Sequence, residues 1–296
     1  MESMKMLGAQ NPAGEKRVGM RPVGSRSRGA APYLGGKRRL AKRICERIGA
    51  ISHETYAEVF VGMGGVFFRR SFVPPQEVIN DKSGDVANFF RTLEHHYQPM
   101  IDYIKWKVAS RAEFDRLRHM NPELLTDIQR AIRFYYLQKL AFGGKSVGQS
   151  FGVQPPKPSS FNPLRIAEDL GVLHERLAGV IVENLDYAEL IRRYDKPGTL
   201  FYLDPPYFGG ENDYGKGLFE RADYERLASQ LSQIEGAFLL SINDVPEIRA
   251  AFDGFHIEEV RLKYSISKAE VTDAAELIIS NRDPVAAVTA GQGSLI

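Results

Sequence analysis

Short apolar stretches, most of them rich in β-branched and aromatic residues, recur along the chain between more polar segments. Stretches of this length and composition predict β-strands, and several are followed by the 3.6-residue periodicity of amphipathic helices. The strands are predicted at residues 56–61, 77–80, 180–183, 199–203, 237–242, 255–262 and 276–280, and the helices at 37–48, 84–94, 127–141, 164–177 and 223–234. Strands that alternate with helices indicate a doubly wound α/β fold with a mostly parallel seven-stranded sheet.

The interval 89–178 interrupts this alternation. It contains helical patterns and a loop at 142–162 that is rich in Gly, Pro and Ser, but no convincing strand. We therefore predict one α/β domain, at 30–88 and 179–283, that carries a helical insertion at 89–178. Residues 1–29 have the composition of a disordered leader, and 284–296 are predicted to be a flexible tail.

Composition narrows the class of protein. With 296 residues, of which 43% are hydrophobic, the chain can bury a sizeable core. Since it has neither an apolar run of eighteen residues nor an apolar N-terminal stretch, we expect no membrane span, no export and a cytoplasmic location. A single cysteine, Cys45, excludes an internal disulfide framework and a Cys-rich metal site.

The basic residues are unevenly placed, although the net charge is only +2. Between residues 16 and 43 there are ten lysines and arginines and no acidic residue, and half of the ten lie in the leader. A charge run of this kind is interpreted as a solvated segment. An arm that attracts phosphate groups is the alternative interpretation.

A glycine-rich turn that contains Phe60, Gly62 and Gly64 follows the first predicted strand. Glycines at the carboxyl edge of a parallel sheet let a ligand approach the backbone, although a purely structural turn is an equal alternative. Asp81 ends the next strand about twenty residues later, where an acidic residue accepts hydrogen bonds from ribose hydroxyls. This pairing favours a nucleoside-containing cofactor. Asp186 could contact the adenine ring of such a cofactor, or could cap a helix.

The strand at 199–203 ends in Asp204-Pro205-Pro206-Tyr207, a motif that could also simply terminate a strand. An ionised Asp204 and the Pro205 carbonyl accept hydrogen bonds, while two consecutive prolines remove competing N–H donors. Such a site suits a planar amino group like that of adenine, whose nitrogen needs acceptors for both N–H groups to attack a methyl sulfonium. Tyr207 adds a face on which a base can stack, and a base in duplex DNA would have to flip out to reach it. No metal is required, and the six histidines show no ligand spacing.

In their order along the chain, these motifs resemble the Dam-type (alpha-class) DNA adenine-specific N-6 methyltransferases of bacteria and their phages, over residues 31–283. The matching segments include Tyr33-Leu34-Gly35-Gly36-Lys37, the glycine loop, the segment at Asp81, the DPPY motif, and residues 162–163, 182–187, 240–244, 264–267 and 275–281. The resemblance implies a Rossmann-like methyltransferase sheet, S-adenosyl-L-methionine as methyl donor without a metal, double-stranded DNA as substrate, and a target-recognition role for the insertion. It also implies that Tyr33 and Lys37 border the cofactor and the methylation pocket.

The residues predicted to act at the site fall into two groups. The catalytic group is Asp204, Pro205, Pro206 and Tyr207. The cofactor-binding group is Tyr33, Lys37, Phe60, Gly62, Gly64, Asp81, Asp186 and Asp204. One departure from the family lies in the insertion, where the common Phe-Asn-Gly followed by an arginine is replaced at residues 142–147 by Phe-Gly-Gly-Lys-Ser-Val. The departure affects the expected DNA contacts and target sequence, and leaves the chemistry unchanged.

We expect a bacterial or phage-encoded monomer that acts alone or beside a cognate restriction endonuclease. Two other classes remain open: an amino methyltransferase for cytosine, RNA adenine or protein glutamine, and a catalytically silent DNA-binding relative. Protein glutamine enzymes more often have Asn at the position of Asp204, and the intact motif and cofactor loop argue against a silent protein.

Overall fold

The protein, in a computed structural model, is described for residues 21–23, 29–33, 37, 40–153, 158–215, 217–265 and 271–282. The predicted tail, most of the leader, and Gly35 and Gly36 of the opening motif lie outside these ranges. The strands are β1 (Arg21–Pro22), β2 (Thr55–Glu58), β3 (Phe72–Val73), β4 (Gln76–Asn80), β5 (Ile181–Glu183), β6 (Thr199–Leu203), β7 (Ala237–Asn243), β8 (His256–Ser265) and β9 (Val271–Ser280). The α-helices are α1 (Ala41–Ala50), α2 (Gly84–His95), α3 (Tyr97–Ile104), α4 (Arg111–His119), α5 (Asp127–Leu140), α6 (Pro163–Leu177), α7 (Tyr187–Tyr194), α8 (Asp223–Leu231) and α9 (Pro246–Ala251).

The predicted seven-stranded α/β sheet is confirmed. Its strand order is β5-β4-β2-β6-β7-β9-β8, with parallel pairing from β5 to β7 and an antiparallel hairpin of β8 and β9 at one edge. From β2 the chain first builds outward through β4 and β5, and later returns to β6 on the other side of β2. The carboxyl ends of β2 and β6 therefore flank the topological switch point, where ligands bind in folds of this type.

Strand β6 lies in the middle of the sheet, and all five of its residues are buried. Alternate side chains enter two different cores, with Leu200 and Tyr202 on one face and Phe201 and Leu203 on the other. Helices cover both faces of a doubly wound sheet, and a central parallel strand is therefore continuously apolar. This explains why residues 199–203 show an apolar run instead of an alternating pattern.

The helices of the insertion extend the core on one face of the sheet. Phe114, Tyr135 and Leu173 of the insertion belong to the same apolar cluster as Tyr56 and Leu200 of the sheet. A buried ion pair adds a polar connection: Glu77 of β4 accepts from Arg176 of α6 at 2.6 and 2.7 Å, and also contacts Arg70. The insertion is thus packed onto the sheet as part of one core.

Several predicted elements need correction. Helix α1 begins at Ala41 instead of residue 37, and Lys37 lies before it, where its carbonyl accepts from the Ala41 amide. Helices α3 and α4 had no predicted bounds within the helical insertion, α7 was considered only as the helix that Asp186 could cap, and α9 was not predicted. Within the predicted leader, Arg21–Pro22 pair with Phe72–Val73 in a small antiparallel sheet. None of the helices in the described ranges is long and apolar enough to cross a membrane.

Candidate active site

A cavity of about 700 Å³ opens beyond the carboxyl ends of the central strands. Its lining includes Phe60 and Gly62 after β2, Asp81 after β4, and Asp204 and Pro206 after β6. A volume of this size suits a drug-sized or cofactor-sized ligand. The three separate sequence motifs are therefore brought together at the switch point of the sheet.

Asn80 holds together the ends of the strands beside the cavity. Its buried side chain donates to the Val59 carbonyl at 2.9 Å and to the Leu185 carbonyl at 3.1 Å, and accepts from the Leu185 amide at 2.8 Å. One side-chain amide at the end of β4 thus forms hydrogen bonds to the backbone that follows β2 and to the backbone that follows β5. The glycine loop leaves the sheet from this fixed point.

Two glycines of the loop have positive φ, which favours glycine. At Gly62, where φ is 51°, a Cβ atom would lie 2.7 Å from Cε1 of Tyr33. At Gly64, where φ is 71°, a Cβ atom would collide with the ring of Phe68. Gly62 lines the cavity, whereas Gly64 is not among the described lining residues and has a structural role in the turn.

Asp81 binds the backbone of the glycine loop. One carboxylate oxygen accepts from the Gly62 amide at 3.0 Å and the other from the Ser83 amide at 2.9 Å. Burial raises the pKa of Asp81 to about 6, and the two N–H groups oppose this rise. Because each carboxylate oxygen has two lone pairs, Asp81 can still accept hydrogen bonds from a ligand in the cavity.

Lys37, which is buried, and Asp204, which is partly exposed, form an ion pair at the edge of the DPPY motif. The Lys37 ammonium lies 2.8 Å from Oδ1 of Asp204, donates to the Tyr207 hydroxyl at 2.7 Å, and lies 3.7 Å from Glu276. Burial raises the pKa of Asp204 to about 6; Lys37 lowers it and the negative charge of Glu276 raises it. Lys37 also lines the cavity, so it lies between the cavity and the DPPY motif.

The DPPY backbone is held from β7 and α8. Asn243 accepts from the Phe208 amide at 2.9 Å and donates to the Phe208 carbonyl at 3.1 Å, while the Tyr224 hydroxyl donates to the Pro206 carbonyl at 3.0 Å. Ser241, also in β7, donates to Asp204 at 3.4 Å. Of the four predicted catalytic residues, Asp204 and Pro206 line the cavity. Pro205 and Tyr207 are absent from its described lining and are adjacent to these two in the chain.

Aromatic rings form much of the remaining wall. Phe60 packs against Tyr187 and Phe219 with ring centroids 6.0 and 5.8 Å apart, and Tyr33 packs against Tyr214 at 5.5 Å. Burial raises the pKa of Tyr33, so its hydroxyl stays protonated. Tyr214 and Phe219 were not predicted, because the segment after the motif has no periodicity from which their direction could be inferred.

Two carboxylates near Asp204 were also missed. Glu58, the last residue of β2, lines the cavity, accepts from the Tyr56 hydroxyl at 2.7 Å, and has its pKa raised to about 8 by burial. Glu276 of β9 lies opposite Asn243 of β7 and close to Lys37. A usable signal existed in both cases, because a charged residue inside an apolar strand is costly unless it is paired.

Asp186 lies outside the cavity wall formed by the described residues. It caps α7 by accepting from the Ala188 amide at 3.0 Å, and it pairs with Lys82 at 3.0 Å while 41% of its side chain is exposed. The capping interpretation of Asp186 therefore has a structural basis. Its contact with a cofactor stays a prediction.

Comparison with known proteins gives consistent matches. The sequence model of the family described as D12 class N6 adenine-specific DNA methyltransferase matches residues 33–266. The chain is 25% identical over 260 residues to Type II methyltransferase M.CviBI of Paramecium bursaria Chlorella virus NC1A, which covers 84% of this chain and 97% of the relative. It is 23% identical over 272 residues to Type II methyltransferase M1.LlaDCHI of Lactococcus lactis subsp. cremoris, which covers 84% of this chain and 93% of the relative. It is 26% identical over 278 residues to the DNA N-6-adenine-methyltransferase of Escherichia phage P1, which covers 86% of this chain and 35% of the relative.

Proposed function

The chain belongs to the D12 class N6 adenine-specific DNA methyltransferase family, and we propose that Asp204 and the Pro205 carbonyl accept the two N–H groups of the target adenine. The observation that carries this proposal is the position of Asp204, which lies at the cavity wall beside the buried Lys37 and adjacent to the glycine-loop site. S-adenosyl-L-methionine would supply the methyl group: the N–C bond would form as the carbon–sulfur bond breaks and its electron pair goes to sulfur, and the amino proton that is lost would pass to water.

The cavity has the properties needed to hold S-adenosyl-L-methionine, which supplies the electrophilic methyl group. Gly62 presents backbone without a side chain, Asp81 has free lone pairs for the ribose hydroxyls, and Phe60 offers an aromatic face to the adenine ring. These three residues, with Tyr33 above Gly62, are our proposed cofactor contacts.

Lys37 keeps Asp204 in the form that the reaction needs. Its ammonium lowers the pKa of Asp204 against the effect of burial, so the carboxylate is mainly ionised at neutral pH. An ionised carboxylate accepts an amino N–H and stabilises the positive charge that develops on nitrogen. Lys37 also donates to the Tyr207 hydroxyl, and so fixes the ring on which we propose that the flipped adenine stacks.

We further propose that the substrate is double-stranded DNA read by the insertion at 89–178, and that the protein acts as a monomer. Two of the relatives are named type II methyltransferases, so a cognate restriction endonuclease that shares the target sequence is the expected partner. Sequencing of modified bases in DNA from expressing cells would give that sequence.

The reaction is tested by incubating the protein with plasmid DNA and S-adenosyl-L-methionine, digesting the DNA, and identifying the methylated nucleoside by mass spectrometry. The expected product is N6-methyladenine. Asp204→Ala should lower kcat by a factor on the order of 10²–10³ or more, because it removes a positioned acceptor at the developing charge, while cofactor affinity measured by calorimetry changes much less.

Glu46→Ala is the matched control, because Glu46 is an exposed carboxylate of α1 that pairs with Lys42 and lies outside the insertion. That variant should retain wild-type kcat. Full activity of Asp204→Ala would refute the assigned role, and N4-methylcytosine as the product would refute adenine as the substrate.

A further inference from the structure

The loop at 142–151, which connects the end of α5 to the rest of the insertion, lies directly against the opening segment of the catalytic domain. The loop is closed by a bridge between Ala141 and Phe151 and by a hydrogen bond from the Phe142 amide to the Ser150 carbonyl at 2.9 Å. At Gly144, where φ is 69°, a Cβ atom would lie 3.1 Å from the Pro32 carbonyl carbon and 3.1 Å from the Tyr33 amide nitrogen. The two backbones therefore touch, with no side chain between them.

Gln138 of α5 joins these two backbones through a single side-chain amide. Its Nε2 donates to the Pro32 carbonyl at 2.8 Å and to the Gly144 carbonyl at 2.7 Å, and the residue is fully buried. Both partners are acceptors, so the NH₂ end of the amide must face them. If either backbone moved away, a buried polar group would lose its partner, which is strongly disfavoured.

Gln149 has a related but different place in the same loop. Its Nε2 donates to the Lys145 carbonyl at 2.9 Å, within the loop itself, and reaches Oε1 of Gln138 at 3.5 Å. It has no described hydrogen bond to the opening segment. Gln149 thus forms a hydrogen bond within the loop, whereas Gln138 attaches the loop to Pro32. Variants of the two residues therefore test the order of the loop and its attachment separately.

The attachment continues to the cofactor site through Tyr33. Tyr33 lines the cavity and lies over Gly62, whose amide is bonded to Asp81. A shift of the loop at Gly144 is therefore passed to the backbone of Tyr33, to the ring above Gly62, and to the wall of the cavity. Packed contacts of this kind transmit displacement because the interior is close-packed.

We propose that Gln138 is a positioning residue that couples DNA contact at the 142–151 loop to cofactor binding, and this rests on the proposed function of the insertion as the DNA-reading region. Since such a coupling is reciprocal, DNA should strengthen cofactor binding by the same factor by which cofactor strengthens DNA binding. A glycine at position 144 suits this contact, because at a φ of 69° and 3.1 Å from the Pro32 and Tyr33 backbone a larger residue would be strained.

The experiment measures the affinity of the full-length protein for sinefungin, an unreactive cofactor analogue, with and without fragments of plasmid DNA that the wild type methylates. We expect DNA to tighten sinefungin binding at least fivefold in the wild type. In Gln138→Met the ratio of the two affinities should fall to within twofold of one. Gln149→Met should weaken DNA binding but keep the ratio.

Gly144→Ala tests the same contact from the loop side, in case Gln138→Met lowers the melting temperature too far. Its matched control is Gly148→Ala, because Gly148 has a similar φ of 62° but no atom within 4 Å of its Cβ position. The coupling should be lost in the first variant and kept in the second. An unchanged ratio in folded Gln138→Met and Gly144→Ala, or no coupling in the wild type, would overturn the inference. Absence of any DNA methylation would instead overturn the proposed function.

Discussion

At the scale of single residues, the site depends on how burial and nearby charges set the ionisation of two aspartates. Asp81 and Asp204 both have a pKa raised to about 6 because they are withdrawn from water. Asp204 is faced by Lys37, Glu276 and Ser241, and Asp81 by the amides of Gly62 and Ser83. Each must be ionised to accept the hydrogen bonds proposed for it.

The pH dependence follows from these values. As pH falls through about 6, Asp204 becomes protonated and kcat at saturating cofactor should fall about tenfold per pH unit. The protonated Asp81 should weaken cofactor binding over the same interval. Measurement of kcat and of the cofactor dissociation constant between pH 5 and 8 separates the two, and constant values of both down to pH 5 would contradict this account.

Replacing Lys37 with methionine should move the acid limb of that profile upward. Without the ammonium, the main influence that lowers the pKa of Asp204 is gone, so the carboxylate titrates nearer neutrality. Activity at pH 7 should drop and recover in part at pH 8.5, which mere structural damage would not produce. Lys42→Met is the control, because 91% of the Lys42 side chain is exposed; its profile should match the wild type.

The sequence predicted those site residues whose types and spacing are the ones that the chemistry requires, namely Asp204, Gly62 and Asp81. It could not identify Gln138, because its partners are distant in the chain and no local pattern points to it. Glu276 was missed although a charged residue inside an apolar strand was a usable signal. Asp186 shows the limit in another way. A carboxylate between a strand and a helix fits a ligand contact and a helix cap equally well until the backbone is seen.

At the scale of elements, the turn after β2 allows a test of the cofactor site. Gly62→Ala would place a methyl group 2.7 Å from the Tyr33 ring at a φ of 51°, so we expect cofactor affinity to fall about tenfold or more, with a folding cost of about 1–2 kcal/mol. Gly179→Ala carries similar backbone strain at a φ of 80° but has no atom within 4 Å. It should show the folding cost alone, and equal cofactor affinities in the two variants would refute the assignment.

The seven main strands were predictable because their apolar runs are short and bounded by turn residues. The missed helices are shorter or more polar. In α4 only Phe114 and Leu117 are buried, so the helix lacks a long apolar stripe, and it is stabilised by the Ser110 cap and by ion pairs around Glu113. Helix α1 begins at Ala41; the Lys37 carbonyl accepts from the Ala41 amide, while the Lys37 ammonium lies at Asp204.

At the scale of the whole molecule, Glu77 connects the sheet to the insertion. Glu77→Gln leaves the buried guanidinium groups of Arg70 and Arg176 without their shared carboxylate, so the free energy of unfolding should fall by about 3–5 kcal/mol. Glu46→Ala removes an exposed partner of Lys42 and should change stability by less than about 1 kcal/mol. Urea unfolding of both proteins measures the difference, and equal midpoints would show that the buried pair contributes little.

The contact between Gly144 and Pro32 also bears on how such enzymes can acquire new specificities. A chimera that exchanges only residues 89–178 with a relative would bring in a foreign loop but keep the host's Pro32 and Tyr33, against which that loop must fit. Recombination should therefore succeed more often when the opening segment is inherited together with the insertion. The evolutionary unit of target choice would then consist of two stretches of chain that are separated in sequence and adjacent in space.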